Sequence, residues 1–252
     1  MNGAANARPY DALGILYDAL GHHDYATWGA YLAGLLKERG AGPGSRLIDA
    51  ACGTGGIALE LFKAGYSVFG IDISQRMLTA ASSKAAKAGA AITFIRQDIR
   101  AMRVHRPVDS IVCACDAVNY LLTDADLGNF LKCARKSLAK GGALLFDISS
   151  EEKLKAMDGQ LYGEETDNSA YLWMNEMDEQ AGVITMDLTF FIRQGEYFRR
   201  ERERHSLRMW SAQEISEALE KNGYEVKGTY AAFTRDAPAP GCERIQFVAA
   251  AI

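Results

Sequence analysis

The segment from Arg46 to Ser74 constrains the fold of this chain more than any other stretch. Its sequence, RLIDAACGTGGIALELFKAGYSVFGIDIS, predicts a strand, a glycine-rich turn, a helix and a second strand. Leu47 and Ile48 begin a buried apolar strand, and the second strand ends at Asp72. The segment therefore predicts half of a nucleotide-binding α/β sheet, in which a ligand lies beyond the carboxyl ends of the strands.

The acidic residues around the turn discriminate between ligands. The pattern Gly53-x-Gly55-x-x-Ala58 fits the dinucleotide fingerprint in its G-x-G-x-x-A form. Asp49, however, lies at the mouth of the turn, where a carboxylate would repel a pyrophosphate and would suit an ammonium group. Asp72 is placed to accept hydrogen bonds from a ribose diol. The turn therefore favours a nucleoside ligand that carries a positive charge.

Three motifs lie at the ends of three successive predicted strands. They are Asp49-Ala-Ala-Cys-Gly-Thr-Gly, Gly70-Ile-Asp-Ile-Ser with Met77, and Gln97-Asp98-Ile99. In this order and spacing they resemble the first three motifs of class I S-adenosylmethionine-dependent methyltransferases. The resemblance covers residues 46–150 well and the remainder loosely. It implies S-adenosyl-L-methionine as the cofactor and a reaction that needs no metal.

The resemblance also implies a cofactor site built from three strand ends and an N-terminal helix. The glycine turn would approach the methionine part, with Asp49 on its ammonium group directly or through water. Asp72 would bind the ribose hydroxyls, and Asp98 would meet the adenine edge. The residues with implied cofactor roles are Tyr17, Trp28, Asp49, Ala51, Cys52, Gly53, Gly55, Asp72, Ile73, Met77, Asp98, Ile99 and Cys115.

Polar residues follow the fourth predicted strand, an apolar and hence central segment at 108–115. The sequence from Asp116 to Leu121, DAVNYL, resembles the fourth family motif, where cofactor and substrate meet; an ordinary N-cap turn is the alternative. An oxygen acceptor would benefit from a general base, whereas an amine must be neutral and can lose its proton to water or a carboxylate. The candidates for proton removal are Asp116, Tyr120 and His205, with His22 as a further possibility.

The second half of the chain departs from a plain Rossmann-like order. Residues 151–163 read as a polar connection, and residues 170–175, 183–193 and 197–209 alternate apolar and polar side chains. We predict a three-stranded antiparallel insertion of about 40 residues that covers one side of the pocket. Gln194-Gly195-Glu196 is its hairpin turn. The run of arginines and glutamates at 199–204 is interpreted as a solvated strand face.

The predicted fold is α/β: a Rossmann-like, doubly wound, mostly parallel seven-stranded sheet with an antiparallel last strand, plus the small antiparallel insertion after the fifth strand. The predicted organisation is a helical lid at 1–40, a cofactor-binding domain at 41–150 and 206–252, and the insertion at 151–205.

Composition narrows the classes of partner. A net charge of −4 argues against nucleic acid, and no apolar run approaches the length of a membrane span. The five cysteines suit a reducing cytoplasm, and Cys113-x-Cys115 lacks the second pair that a zinc site needs. We expect a cytoplasmic monomer or homodimer that acts on a small molecule, without a nucleic-acid or membrane partner.

Three other functions stay open from the sequence. The nearest is a methyltransferase that acts on protein or nucleic acid: the acidic balance opposes nucleic acid, and the chain has DAVNY after the fourth strand in place of the N/D-P-P-Y/F run associated with methylation of bases and glutamine. An NAD-dependent oxidoreductase is allowed by the glycine turn and Asp72, but Asp49, Asp98 and the lack of a second nucleotide-binding half oppose it. A non-catalytic S-adenosylmethionine-binding module is opposed by the intact set of cofactor residues. The insertion resembles that of sugar-amine and glycine-type N-methyltransferases in architecture only, so an amine and an oxygen acceptor both remain possible.

Overall fold

The computed structural model describes residues 24–252, so Tyr17 and His22 lie outside the described residues. A seven-stranded sheet forms the centre of the fold. Its first five strands run parallel, and an α-helix connects each to the next, except that a short 3-10 turn joins the third to the fourth. The strands are β1 (Arg46–Ala50), β2 (Ser67–Asp72), β3 (Thr93–Arg96), β4 (Val108–Cys113) and β5 (Leu138–Ser149), and the helices are α1 (Tyr25–Glu38), α2 (Gly56–Lys63), α3 (Gln75–Lys87) and α4 (Asp124–Ser137).

Two apolar layers cover the two faces of this sheet. Successive residues of β1, Leu47 and Ile48, enter opposite layers, as the alternation of a strand requires. Leu35 of α1 and Leu61 of α2 pack in the Leu47 layer, whereas Phe130 of α4 packs in the Ile48 layer. Both faces are therefore buried, which is why the parallel strands read as continuous apolar runs.

The sheet closes with an antiparallel strand. Helix α6 (Ala212–Lys221) leads into β10 (Tyr224–Ala231), and β11 (Arg244–Ala251) pairs antiparallel with both β10 and β5. The strand order β10-β11-β5-β4-β1-β2-β3 confirms the predicted fold class. The order reverses between β1 and β4, and ligands of doubly wound sheets bind beyond the carboxyl ends of the strands at such a point.

The insertion differs from its prediction. It contains a helix, α5 (Glu151–Ala156), and a four-stranded sheet in the order β6-β7-β8-β9: β6 (Leu161–Thr166), β7 (Ser169–Asp178), β8 (Val183–Gln194) and β9 (Tyr197–Arg208). The prediction of three strands was wrong because all six residues of β6 are exposed, which removes the alternation that marks a strand. The hairpin predicted at Gln194-Gly195-Glu196 is present. Gln194 pairs with Tyr197 at the end of β8, so the loop has two residues, and Gly195 lies in the left-handed region.

The inner face of the inserted sheet packs against the main domain. Ile184, Phe190 and Leu207 form an apolar cluster with Leu154 of α5, and Tyr120 packs against this cluster. Tyr120 belongs to a short 3-10 turn, Ala117–Tyr120, that follows β4. The insertion therefore borders the carboxyl end of β4. Within residues 24–252, no helix is long and apolar enough to cross a membrane.

Candidate functional site

The glycine turn between β1 and α2 is held in a left-handed backbone. Ala51, Gly53 and Gly55 have φ angles of 58°, 52° and 73°. A Cβ placed on Gly53 would meet no atom of residues 24–252 within 4 Å, so the part of the chain that the structure describes leaves space in front of the turn there. A Cβ on Gly55 would lie 2.9 Å from Ala81 and 3.0 Å from Phe94. Gly53 therefore leaves room for a ligand, whereas Gly55 lets the turn pack on α3 and β3.

Asp72, at the end of β2, fastens this turn. Its Oδ2 accepts a hydrogen bond from the Gly53 amide at 2.9 Å, and its Oδ1 accepts one from the Ser74 amide at 2.8 Å. Burial raises the pKa of Asp72, and the two amides act against that rise. A carboxylate has about four lone-pair sites, so each oxygen can accept one more hydrogen bond from a ligand hydroxyl.

Asp49, at the end of β1, is buried beside the same turn. The side chain is 2 % exposed, and among residues 24–252 no group donates a hydrogen bond to its Oδ2. Burial and the negative charge of Asp72 raise the pKa of Asp49 to about 8. A buried carboxylate oxygen without a donor is costly unless a ligand supplies one. The site therefore fits a ligand with an ammonium group.

The end of β3 presents a carboxylate that already has a partner. Asp98 accepts a hydrogen bond from the Arg100 amide at 2.9 Å and contacts the Arg100 guanidinium at 2.6–3.1 Å, which lowers the pKa of Asp98. Of the predicted adenine neighbours, Ile73 is 52 % exposed, Ile99 is partly buried and Met77 is 1 % exposed. Ile73 therefore offers an open apolar surface, and Met77 lies in the interior.

Two strained residues follow β4. Cys115 and Asp116 have φ angles of 60° and 54°, a backbone region that costs non-glycine residues about 1–3 kcal/mol each and that clusters at functional sites. The Asp116 amide donates to Asp147 Oδ2 at 2.9 Å, and Ser149 Oγ donates to Asp116 Oδ2 at 3.0 Å. Hydrogen bonds from β5 therefore hold the loop in this conformation.

A partly buried arginine completes this group. Arg244 of β11 hydrogen bonds to Asp147 Oδ2 and lies 3.5 Å from Asp116 Oδ1. Its guanidinium also lies 5.6 Å from the ring centroid of Trp28, which places the predicted aromatic of α1 beside the end of β4. The sequence analysis missed Arg244 and Asp147, because neither belongs to a motif and the two are 97 positions apart.

The start of α1 approaches the glycine turn from the other side. A Cβ on Gly56 would lie 2.6 Å from the ring of Tyr25, so this glycine allows α1 to pack on α2. Trp28 packs edge-on against Phe233 at 4.7 Å and is 7 % exposed. The helix therefore lies over the site, and a contact between Trp28 and a ligand stays a prediction.

His205 and Tyr120, two of the predicted catalytic residues, lie together. The Tyr120 hydroxyl is 3.2 Å from His205 Nδ1, and His205 Nε2 is 3.1 Å from Glu203 Oε2. Both His205 and Glu203 are 2 % exposed. The interpretation of the 199–204 run as a solvated face was wrong for Glu203. Alternation along β9 turns Arg204 outward and turns Glu203 inward, onto the face that packs against Tyr120.

The third predicted catalytic residue, Asp116, belongs to the Arg244 group rather than to the His205 group. Its carboxylate is engaged by Ser149 and Arg244. Burial raises the pKa of Cys113 and Cys115 well above that of a free thiol, so both are neutral thiols at neutral pH. Within the described residues, no three His, Cys, Asp or Glu side chains are grouped to hold a metal ion.

Known proteins resemble this chain along nearly its full length. A methyltransferase domain family matches residues 47–142. YqeM of Bacillus subtilis (strain 168), a protein named as a methyltransferase, is 31 % identical over 95 % of this chain and 96 % of its own length. The crystal structure of an S-adenosylmethionine-dependent methyltransferase from Clostridium acetobutylicum ATCC 824 is 26 % identical. It covers 96 % of this chain and 98 % of that one, with a TM-score of 0.86.

Shorter matches cover about half of the chain and include both N- and O-methyltransferases. One is the dTDP-3-amino-3,4,6-trideoxy-alpha-D-glucopyranose N,N-dimethyltransferase of Streptomyces venezuelae. It is 30 % identical over 49 % of this chain and 50 % of its own length.

Proposed function

Because the chain belongs to the class I S-adenosylmethionine-dependent methyltransferases, we propose that it methylates a nitrogen atom of a small-molecule acceptor. The cofactor is S-adenosylmethionine, and family membership removes the dehydrogenase alternative. The assignment of the cofactor site rests mainly on Asp49 Oδ2, which no group in residues 24–252 hydrogen bonds, and on Gly53 beside it, whose Cα no described residue approaches from the side of a Cβ. The ammonium group of the methionine part is the donor that this oxygen lacks.

The remaining cofactor roles follow the strand ends. Asp72 would accept hydrogen bonds from the ribose hydroxyls, and Ile73 would pack on the adenine. Asp98 would share its carboxylate between Arg100 and the adenine edge. Trp28 would cover the pocket as part of the N-terminal lid. The cofactor supplies an activated methyl group, so the work of the protein is alignment of donor and acceptor in a dry site.

Two features support a small amine as the acceptor. The insertion turns acidic and aromatic side chains towards one face, with Glu201 and Glu203 on β9 and Tyr171 and Trp173 on β7. Glu201 is paired with Arg199 on the same face and Glu203 with His205, so this face attracts a cation mainly through its aromatic rings. The relative from Streptomyces venezuelae is named for methylation of an amino sugar. A cytoplasmic location and a monomer or homodimer stay predictions.

Isothermal titration tests the cofactor site. Wild-type protein should bind S-adenosylmethionine and S-adenosylhomocysteine and should not bind NAD or NADP. Asp72→Ala should weaken binding about 100-fold, or about 2.7 kcal/mol, because it removes the ribose acceptor and frees the Gly53 amide. Asp167→Ala, an exposed residue at the turn between β6 and β7, is the matched control and should bind as the wild type does. Equal affinity in the Asp72 variant would contradict the assignment.

A labelled methyl group tests the acceptor. The enzyme is incubated with methyl-labelled S-adenosylmethionine and, separately, with amino sugars, amino acids, phenols and carboxylic acids. Transfer to amines supports the proposal. Transfer to hydroxyl or carboxyl oxygen alone would overturn the nitrogen assignment, and binding of cofactor without transfer to any amine would favour a binding module.

Binding of S-adenosylmethionine at pH 7 should release nearly one proton from Asp49. With its pKa raised to about 8, the carboxyl group is mostly protonated at pH 7, and a bound ammonium favours the charged form. Affinity should therefore increase as the pH rises from 6 towards 8. Calorimetry in buffers of different ionisation enthalpy counts the protons. Asp49→Asn should abolish the release, and an unchanged release in that variant would contradict the prediction.

A further inference from the structure

We infer that Tyr120, His205 and Glu203 form a relay that accepts a proton from the methyl acceptor. Tyr120 receives the proton, His205 takes the proton of Tyr120, and Glu203 is a positioning residue. The inference rests on the proposed function, because it assumes an acceptor that must lose a proton. It gives the inserted sheet a chemical role in addition to covering the pocket.

The geometry orders the three groups in a line. Tyr120 Oη is 3.2 Å from His205 Nδ1, and the opposite ring nitrogen, Nε2, is 3.1 Å from Glu203 Oε2. The rings of Tyr120 and His205 meet edge to face at 5.9 Å. Met186 of β8 lies opposite His205 in the sheet and is buried, so an apolar wall supports the imidazole.

The hydrogen-bond partners select one tautomer of the imidazole. A carboxylate oxygen accepts hydrogen bonds and does not donate them, so Nε2 carries the hydrogen that His205 shares with Glu203 Oε2. In the neutral ring the other nitrogen, Nδ1, carries a lone pair and accepts hydrogen bonds. Tyr120 lies against that lone pair and must donate its hydroxyl hydrogen to it.

The exposure of the three side chains shows which end of the relay faces a ligand. His205 and Glu203 are 2 % exposed, whereas Tyr120 is only partly buried and lies in the turn that follows β4. Tyr120 is therefore the member of the relay that a small molecule can reach. It lies four positions after the strained Asp116, at the end of β4 where donor and acceptor are expected to meet.

The proton and electron pairs balance through the three groups. The protonated amine of the acceptor gives its proton to Tyr120 Oη as Tyr120 gives its hydroxyl proton to His205 Nδ1, and the imidazolium is stabilised by the Glu203 carboxylate. The lone pair that the amine gains forms the nitrogen–carbon bond. The carbon–sulfur bond breaks, and its electron pair stays on the sulfur. The histidine returns its proton to solvent through Tyr120 after the product leaves. The arrangement follows the logic of a nucleophile, a base and an orienting carboxylate.

Nitrogen NMR tests the relay without an acceptor or cofactor. In the ¹⁵N-labelled full chain near neutral pH, His205 should carry its hydrogen on Nε2 and show an unprotonated Nδ1; His205→Gln assigns its signals among the four histidines. Tyr120→Phe should shift the Nδ1 signal and leave the hydrogen on Nε2. Glu203→Gln should remove the preference for this tautomer. A hydrogen on Nδ1 in the wild type would overturn the relay, even if the cofactor binds as proposed.

The second test of the relay measures kcat and KM with an amine that the labelled-methyl experiment has identified as an acceptor. General base catalysis contributes about 10²–10⁴-fold, so Tyr120→Phe and His205→Gln should lower kcat by that factor with an unchanged dissociation constant for S-adenosylmethionine. Glu203→Gln should lower kcat without changing KM for the amine, which a merely structural loss of packing would not do. Tyr120→Phe removes one oxygen atom and keeps the ring, so this variant still tests the relay if His205→Gln fails to fold. Full kcat in Tyr120→Phe would overturn the inference.

Discussion

Replacement of Arg244 by methionine should lower the free energy of unfolding by about 3–5 kcal/mol, the usual cost of removing one partner from a buried ion pair. Asp147 has no exposed surface, and burial already raises its pKa. Without the guanidinium, its charge would have no counterion and the strained loop at Asp116 would lose a contact. Denaturant unfolding followed by circular dichroism measures the loss.

The pH dependence and two further variants test this explanation. In Arg244→Met the native state favours protonated Asp147, so the deficit should shrink as the pH falls towards about 4, near the pKa of an unfolded aspartate. Adding Asp147→Asn should recover most of the stability. Arg235→Met breaks an exposed pair with Glu38 and should cost at most about 1 kcal/mol. Equal losses of unfolding free energy in Arg244→Met and Arg235→Met would show that the burial of Asp147 does not cause the loss.

Replacement of Asn119 by leucine should cost about 3–5 kcal/mol, because each buried group left without a partner costs about 1–3 kcal/mol. Asn119 is fully buried. Its Nδ2 donates to the carbonyl oxygens of Ser149 and Arg208 at 3.2 and 2.9 Å, and its Oδ1 accepts from the Ser149 amide at 2.9 Å. Leucine has a similar volume and can make none of these bonds.

The loss of stability in Asn119→Leu should be largest in the inserted sheet. Limited proteolysis of Asn119→Leu should cut residues 161–208 faster than in the wild type, because the base of the inserted sheet loses a support. Gln213→Leu removes one exposed helical hydrogen bond, to Glu217, and should change stability by less than about 0.5 kcal/mol. If Asn119→Leu loses much stability but residues 161–208 are cut no faster than in the wild type, the destabilised part is the main sheet instead.

The sequence alone predicts those site residues that lie at the ends of buried parallel strands. Asp49 and Asp72 end buried parallel strands, so the fold class alone places them at one edge beside the glycine turn. The positive φ angles at Gly53 and Gly55 likewise follow from a turn that only glycine accommodates without strain. The polar residues that directly follow the apolar fourth strand also predict a site that includes Tyr120.

Long-range pairing explains what the sequence analysis missed. Arg244 has a role only because β11 lies next to β5, and nothing in the residues around it reveals that partner. Glu203 looked like one member of a solvated charge run. Only its pairing opposite Leu188 on the inner face buries it. Strand β6 has no buried residue and hence no pattern of its own.

The three hydrogen bonds of Asn119 have a consequence for how this chain can vary. Its single amide reaches both Ser149 and Arg208, so the intervening segment leaves and re-enters the main domain at one point. Closing a longer loop between two fixed ends costs only about 0.6 kcal/mol for each doubling of length. A segment so attached can be lengthened, shortened or exchanged while β5 keeps its register. Residues 150–207 can therefore be grafted as a unit onto a chain that keeps the asparagine, without disturbing the strand ends that carry Asp49 and Asp72.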